Sequence, residues 1–412
     1  MKEELPAEPG PRVRGPVPQT PHRPPRANRV AKPRASQPAR GTPTRPPGQI
    51  VLVLQGGGAL GAYQVGVYQA MHEAGIEPDW VIGTSIGAIN AAIIAGNAPE
   101  RRLEQLRAFW ESVEWREPLG FAAALPWWLA NPCANLQTIA FGVPGFFAPN
   151  AKAALGVFAP LGVESASFYE ATALRDTLAQ RVDFERINRG MTRLTVGAVN
   201  ARTGAMRYFD TRNLVLGPEH VMASGALPPA FPAIRIDGEP YWDGGVYSNT
   251  PIEAVLDDSP RRTSTVFNVH LWNPSGNEPD SIWQVLGRQK EIQYSSRAEN
   301  HVHRQKQIHR LRHVINQLAQ HLPPNRREAA DVRDLLSWGC DTTVHIVRLL
   351  APRLEGEDHT KDIDFTPGGI SRRLEAGYTD ARDAIAKAPW HCEIDPLDGV
   401  LLHEHESMHA AI

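Results

Sequence analysis

Residues 81–90 read VIGTSIGAIN, with Gly83 two positions before Ser85 and Gly87 two positions after it. A serine flanked in this way, where a strand gives way to a helix, is held on a tight turn with its hydroxyl presented outward. That is the setting of an activated nucleophile. About thirty residues upstream, GGGALG spans 56–61 and also sits between a strand-like run and a helix-like one. Backbone amides at such a turn have no intrahelical partner and carry partial positive charge. They can hold a phosphate or the oxyanion of a tetrahedral acyl intermediate. Gly56, Gly57 and Gly58 lack Cβ atoms, so a substrate can approach their backbone, and Gly61 closes the pattern. A third motif, Asp243-Gly244-Gly245, lies in YWDGGVYSNTPI.

The glycine loop has a second reading. GGGALG matches the dinucleotide fingerprint G-x-G-x-x-G, whose companion is an acid at the far end of the second strand. The acid here, Asp79, stands at the start of that strand, and Gly83, Thr84 and Ser85 occupy the other end. The ribose ligand is therefore missing, and the anion-loop reading is preferred.

A nucleophilic serine needs a base. Fifteen histidines are present, yet none falls in a loop after a strand with an acid to orient it. His270 lies within a predicted strand; His301, His303, His309 and His313 lie on a polar helix. His403, His405 and His409 belong to the C-terminal stretch, which reads as a solvated end or as a weak metal-binding tract. Asp243 is the other candidate. A buried carboxylate held against the serine can take its proton directly, because desolvation raises its basicity. Asp-Gly is equally a common turn dipeptide with no chemical role.

The elements that position these residues alternate. Residues 50–54 and 79–83 are short apolar runs of the kind buried in parallel sheets, each followed by a helical pattern, the first ending at Gly75 and the second near Gly96. Further strands are predicted at 192–199, 205–209, 265–271 and 342–350, and a hairpin at IRIDGEPYW. One or two helices are predicted over 281–322, and a final amphipathic one over 368–388. The closing LLHEHESMHAAI is predicted to be loose. This is an α/β plan: a three-layer sandwich with a mostly parallel central sheet and a helical C-terminal extension.

Composition sets the outer limits. The chain has 412 residues, 42% hydrophobic and 21% charged, with a net charge of −2. No overall basic field points to nucleic acid. Residues 1–48 carry ten Lys/Arg against three Glu and thirteen prolines, and are predicted to be a disordered tail. Cys133, Cys340 and Cys392 are too few and too scattered for a disulfide framework or a C-x-x-C metal site, which fits a cytoplasmic protein. No secretory signal and no transmembrane run is predicted. Residues 118–151 hold no charge at all. This stretch reads either as a buried cap or as a lid lining an acyl pocket and touching membrane, with Trp127, Trp128, Phe146 and Phe147 as its apolar contacts.

Taken together, GGGALG, GTSIG and DGG, in that order, resemble the patatin-like phospholipase family. MASGALPPAFPAI (222–234) and DGGVYSNTPI strengthen the likeness, which covers roughly residues 50–256. The resemblance implies a lipid acyl hydrolase with a Ser–Asp dyad: Ser85 as nucleophile, Asp243 as proton acceptor, Gly56, Gly57 and Gly58 as oxyanion loop, and no metal or cofactor. It implies a lipid or acyl-ester substrate, and the uncharged stretch adds peripheral membrane contact as an expectation. The corresponding domains are a tail (1–48), a catalytic domain (49–256) with an apolar insertion (118–165), and a region completing the sheet and adding helices (257–412). A lipid-binding protein without catalysis is the alternative on the same fold.

Overall fold

In the computed structural model, the described residues are 45–114, 138, 140–156, 158–355 and 357–404. Trp127, Trp128, Cys133, His405 and His409 lie outside them, as do residues 1–44 of the predicted tail. Of its last residues, Pro47 offers its carbonyl to the Thr265 hydroxyl at 2.9 Å.

Strand β1 (Gln49–Leu54) is wholly apolar after its first residue, and both of its faces are buried. The two-residue period of a strand divides these side chains. Ile50, Leu52 and Leu54 point into one core and Val51 and Val53 into another. Helix α1 (Ala62–Glu73) and helix α2 (Ile86–Ala95) cover the first face. Helix α3 (Pro99–Ser112), not anticipated from sequence, packs there through Leu106, Phe109 and Trp110, and so does the C-terminal helix Pro367–Lys387. The second face takes the short helix Glu253–Leu256 and Val302 of the long helix Ile282–Gln320. Each fully buried aliphatic side chain contributes about 1.5–3 kcal/mol, so this double-faced burial makes β1 the spine of the molecule.

The remaining strands are β2 (Trp80–Thr84), a small ribbon of β3 (Ala148–Pro149) with β4 (Tyr169–Glu170), β5 (Arg193–Asn200), β6 (Met206–Asp210), β7 (Ile234–Ile236), β8 (Glu239–Asp243), β9 (Ser264–His270), β10 (Val344–Leu350) and β11 (Val400–Glu404). The main sheet runs β11-β10-β9-β1-β2-β5-β8-β7, with β6 beside β5. Its first six strands are parallel, and β6, β7 and β8 add antiparallel pairings at the other end. The fold is therefore a three-layer α/β sandwich with a mostly parallel sheet. One expectation fails: residues 401–404, the start of the stretch predicted to be loose, form with Val400 the edge strand β11, which pairs in parallel with β10. The 281–322 segment is one helix rather than two.

Helix α1 and the C-terminal helix cross at glycines. A Cβ on Gly66 would lie 1.9 Å from the Leu374 carbonyl oxygen, and one on Gly377 would lie 2.0 Å from that of Tyr63. Tyr63 also donates to Asp380 at 2.9 Å. The C-terminal region is thus bound directly to the helix that follows the glycine loop. Among the described residues, no helix is long and apolar enough to cross a membrane.

Candidate active site

Strand β2 ends at Thr84, and Ser85 turns the chain into α2 with φ 56° and ψ −127°. This conformation is sparsely populated for a residue bearing a side chain, and it persists only where the surroundings enforce it. The surrounding contacts do so. The Ser85 amide donates to Ser224 Oγ at 3.0 Å, and the Ser224 hydroxyl donates to the Gly197 carbonyl at 2.6 Å. A Cβ on Gly83 would sit 2.2 Å from the Gly87 oxygen, and one on Gly87 would sit 2.2 Å from the Leu54 oxygen. The two flanking glycines therefore let the turn close against itself and against β1. Ser85 occupies the N-cap position but makes no capping bond. Its side chain interacts with Asp243 instead, and both residues line the same cleft.

Asp243 closes β8 and opens a short turn through Gly244 and Gly245. Residue 198 of β5 faces it across an antiparallel pair. The Gly245 amide donates to Asp243 Oδ1 at 2.7 Å. Gly244 must be small because its Cβ would lie 2.5 Å from the Gly197 oxygen. Asp243 is 1% exposed. Burial pushes its carboxyl up from 3.8 to about 7, with the Ser85 side chain and the Gly245 amide pulling the other way. Desolvation thus gives a carboxylate close to the basicity of an imidazole.

The glycine loop lies beside this pair: a Cβ on Gly56 would come within 3.0 Å of Ser85 Cβ. The loop is fastened at Gly56. Its amide donates to the Asn249 carbonyl at 3.2 Å, and its carbonyl accepts from Asn249 Nδ2 at 3.0 Å and Trp272 Nε1 at 2.9 Å. Gly56 is therefore an anchor whose N–H is already engaged. The amides of Gly57 and Gly58 have no acceptor among the described hydrogen bonds. Gly58 has φ +55°, and the Asp362 carbonyl sits where its Cβ would be, at 2.2 Å. Gly61 opens α1 against the Ile86 side chain.

A buried polar ladder braces the loop from below. Gln64 Nε2 donates to the Gln55 carbonyl at 2.6 Å, Asn90 Nδ2 to Gln64 Oε1 at 2.9 Å, and Trp110 Nε1 to Asn90 Oδ1 at 3.1 Å. The Gln55 side chain continues it to Thr250 at 2.6 Å and accepts from the Trp272 amide at 3.1 Å. Buried networks of this kind rigidify what they hold when every member is satisfied.

Ser85, Asp243 and the glycine loop face a cleft of about 170 Å³. Its walls are apolar: Ile86, Ile89, Phe146, Phe147, Tyr169, Leu227, Phe231, Ile363 and Phe365 among others. Phe147 meets Tyr169 and Phe231 edge-on at 5.0 and 5.2 Å, and Phe146 meets Phe365 at 6.0 Å. Phe146 and Phe147 are therefore cleft-wall residues. No histidine lines the cleft among the described residues. His270 is enclosed in β9, and burial pushes its imidazole down to about 3. Asp79 accepts from the Ile50 amide at 2.8 Å, a structural contact at the opposite end of β2.

Sequence reasoning missed one contributor. Residues 361–365 come from the C-terminal region, yet Asp362, Ile363 and Phe365 line the cleft. Lys290 Nζ holds Asp362 at 2.9 Å. Buried Arg373 donates to the Asp364 carbonyl at 2.9 Å and pairs with Glu357 and Asp364 at 3.2 Å each. No local motif marks this segment.

Family models match much of this chain. The patatin-like phospholipase model matches residues 52–256, and a second model, described as patatin phospholipase, matches 292–397. The chain belongs to the patatin-like phospholipase family. Lysophospholipase nte1 of Aspergillus terreus is 60% identical over 49 residues, which is 12% of this chain and 3% of that protein. Patatin-like phospholipase domain-containing protein 7 of Rattus norvegicus is 44% identical over 70 residues, 17% and 5% of the two chains. Triacylglycerol lipase ptl3 of Schizosaccharomyces pombe is 40% identical over 62 residues, 15% and 13%. The matches thus span only a small part of these relatives' length.

Proposed function

We propose that the chain is a serine acyl hydrolase that cleaves fatty-acyl ester bonds of lipids, phospholipase A or lysophospholipase in type, through Ser85 and Asp243. The observation that carries this reading is the pairing of Ser85 with a buried, desolvated Asp243 at one apolar cleft.

In the ionised state Asp243 accepts the Ser85 proton as Oγ attacks the ester carbonyl. The carbonyl π bond opens, and the oxyanion is held by the Gly57 and Gly58 amides. Such a donor is typically worth about 3 kcal/mol of transition-state stabilisation. The intermediate collapses, the ester C–O bond breaks, and Asp243 returns the proton to the leaving alcohol. Water then attacks the acyl-serine with Asp243 again as base, releasing the fatty acid and restoring Ser85. The aromatic walls accept the acyl chain. Phe141, Leu155 and Phe158, which flank the Phe146-Phe147 pair in sequence, are 71%, 71% and 97% exposed and would meet a lipid surface.

The test is incubation of purified protein with a mixture of phospholipids, lysophospholipids and acylglycerols, followed by mass spectrometry. Free fatty acid with matching loss of an ester, absent for Ser85→Ala, supports the reading. Lipid that binds but is recovered intact favours a lipid-binding role without catalysis.

A further inference from the structure

Three side chains that this chemistry does not use converge at the far edge of the sheet, four strands from β2. His345 stands on β10 and is 2% exposed. His403 stands on edge strand β11. The parallel register sets His345 opposite Leu401 and Val347 opposite His403, so the period of two brings both imidazoles to one face. Their rings stack at 5.3 Å with 8° between planes, and His345 Nδ1 lies 3.0 Å from His403 Nε2. Cys392 arrives from a third segment, just after the turn Pro389–His391. It is a free thiol. One ligand atom from each of the three residues lies within 4.8 Å of the other two.

We propose that His345, Cys392 and His403 bind a soft divalent cation of the zinc class, with a solvent molecule as fourth ligand. Two imidazoles and a thiolate are a ligand set suited to such an ion, and a cluster without carboxylates does not suit magnesium or calcium. Tetrahedral bonds of about 2.0–2.3 Å place neighbouring donors roughly 3.3–3.6 Å apart. The two ring nitrogens are close to that separation, and Cys392, exposed, reaches it by turning its side chain. A hydrogen bond between the imidazoles would explain their approach alone. It would not bring a thiol from a separate segment to the same point.

The turn carrying that thiol is itself fixed. Trp390 is 3% exposed and meets Phe267 of β9 edge-on at 5.9 Å. A cation here would tie β10, this turn and edge strand β11 together. Its role is structural, and the site is separate from the cleft at Ser85.

The experiment uses the full-length, untagged protein, stripped with a chelator and then titrated with zinc or cobalt(II). The expected result is one equivalent of zinc retained after gel filtration and a rise in Tm that saturates at that ratio. The cobalt form should show thiolate-to-metal charge transfer and intense tetrahedral d–d bands. Cys392→Ser should abolish the charge-transfer band, and both it and His403→Gln should weaken zinc affinity at least tenfold. Wild-type protein that retains no zinc and shows no Tm change overturns the proposal. So does a cobalt spectrum unchanged in Cys392→Ser, which would place the ion on other residues. If either variant fails to fold, the wild-type cobalt spectrum decides: no thiolate band, no site.

Discussion

Ser85 shares a cleft with Asp243, a carboxylate that is 1% exposed and lifted by burial to about 7, and the serine side chain acts on that carboxyl. Opposite-charge compensation is absent from the influences on this carboxyl, of which desolvation is the largest. The pair therefore combines a strained serine with a costly acid, the kind of local expense that folds tolerate at functional sites.

Asp243→Asn separates the two consequences. An amide cannot accept the serine proton, so the esterase rate on a short-chain aryl ester should fall by about 10²–10⁴-fold. The same substitution removes a buried charge and should raise stability at pH 8 by roughly 1–3 kcal/mol. Denaturant unfolding and initial rates on the same preparation check both.

The pH dependence follows with opposite signs. Catalysis needs ionised Asp243, so kcat/KM should rise with pH through about 7 and then level off. For stability, the folded value lies above the unfolded value of 3.8. Between about 4 and about 7 the folded chain retains a proton that the unfolded chain releases. The contribution of this group therefore makes the fold less stable as pH rises through that window. Comparing unfolding of wild type and Asp243→Asn at pH 5 and pH 8 isolates it: the variant's advantage should appear mainly at pH 8.

Gly87→Ala should be strongly destabilising. Its Cβ would lie 2.2 Å from the Leu54 carbonyl oxygen, a backbone atom of the central strand that cannot swing away. A loss of about 3 kcal/mol or more is expected, with a lower Tm. Gly75→Ala is the control for conformational strain alone, since its φ is +71° and nothing lies within 4 Å of its Cβ position. It should cost about 1–2 kcal/mol.

The reach of sequence reasoning ended where long-range packing began. The strand-to-helix turn at Ser85 and the glycine loop are local, and their glycines announce close backbone approach. Asp243 was ambiguous by itself, because D-G marks many turns; only its order after the other motifs singled it out. Gly56 was grouped with the oxyanion donors, but the Asn249 carbonyl engages its amide, a contact between residues far apart in sequence. Residues 361–365 were invisible, since Arg373 and Lys290 bring them to the cleft without any local signature. Edge strand β11 is not legible because its apolar run, Val400 to Leu402, is short and its pairing depends on β10.

Phe365 tests that hidden contribution. It lines the cleft and meets Phe146 at 6.0 Å and Trp110 at 6.3 Å. Phe365→Ala should enlarge the acyl site and shift preference toward longer or bulkier chains, by about 10–100-fold in relative kcat/KM. Rates across aryl esters of increasing acyl length measure this. A uniform loss at every length would instead indicate damage to the Gly58–Asp362 contact.

The most direct measurement is covalent labelling by a fluorophosphonate, read by peptide mass spectrometry. The predicted result is one adduct on Ser85, formed faster as pH rises through about 7 and absent from Ser85→Ala, which should still unfold cooperatively. A folded wild-type protein that takes no label, or takes it on another residue, would contradict the proposed chemistry.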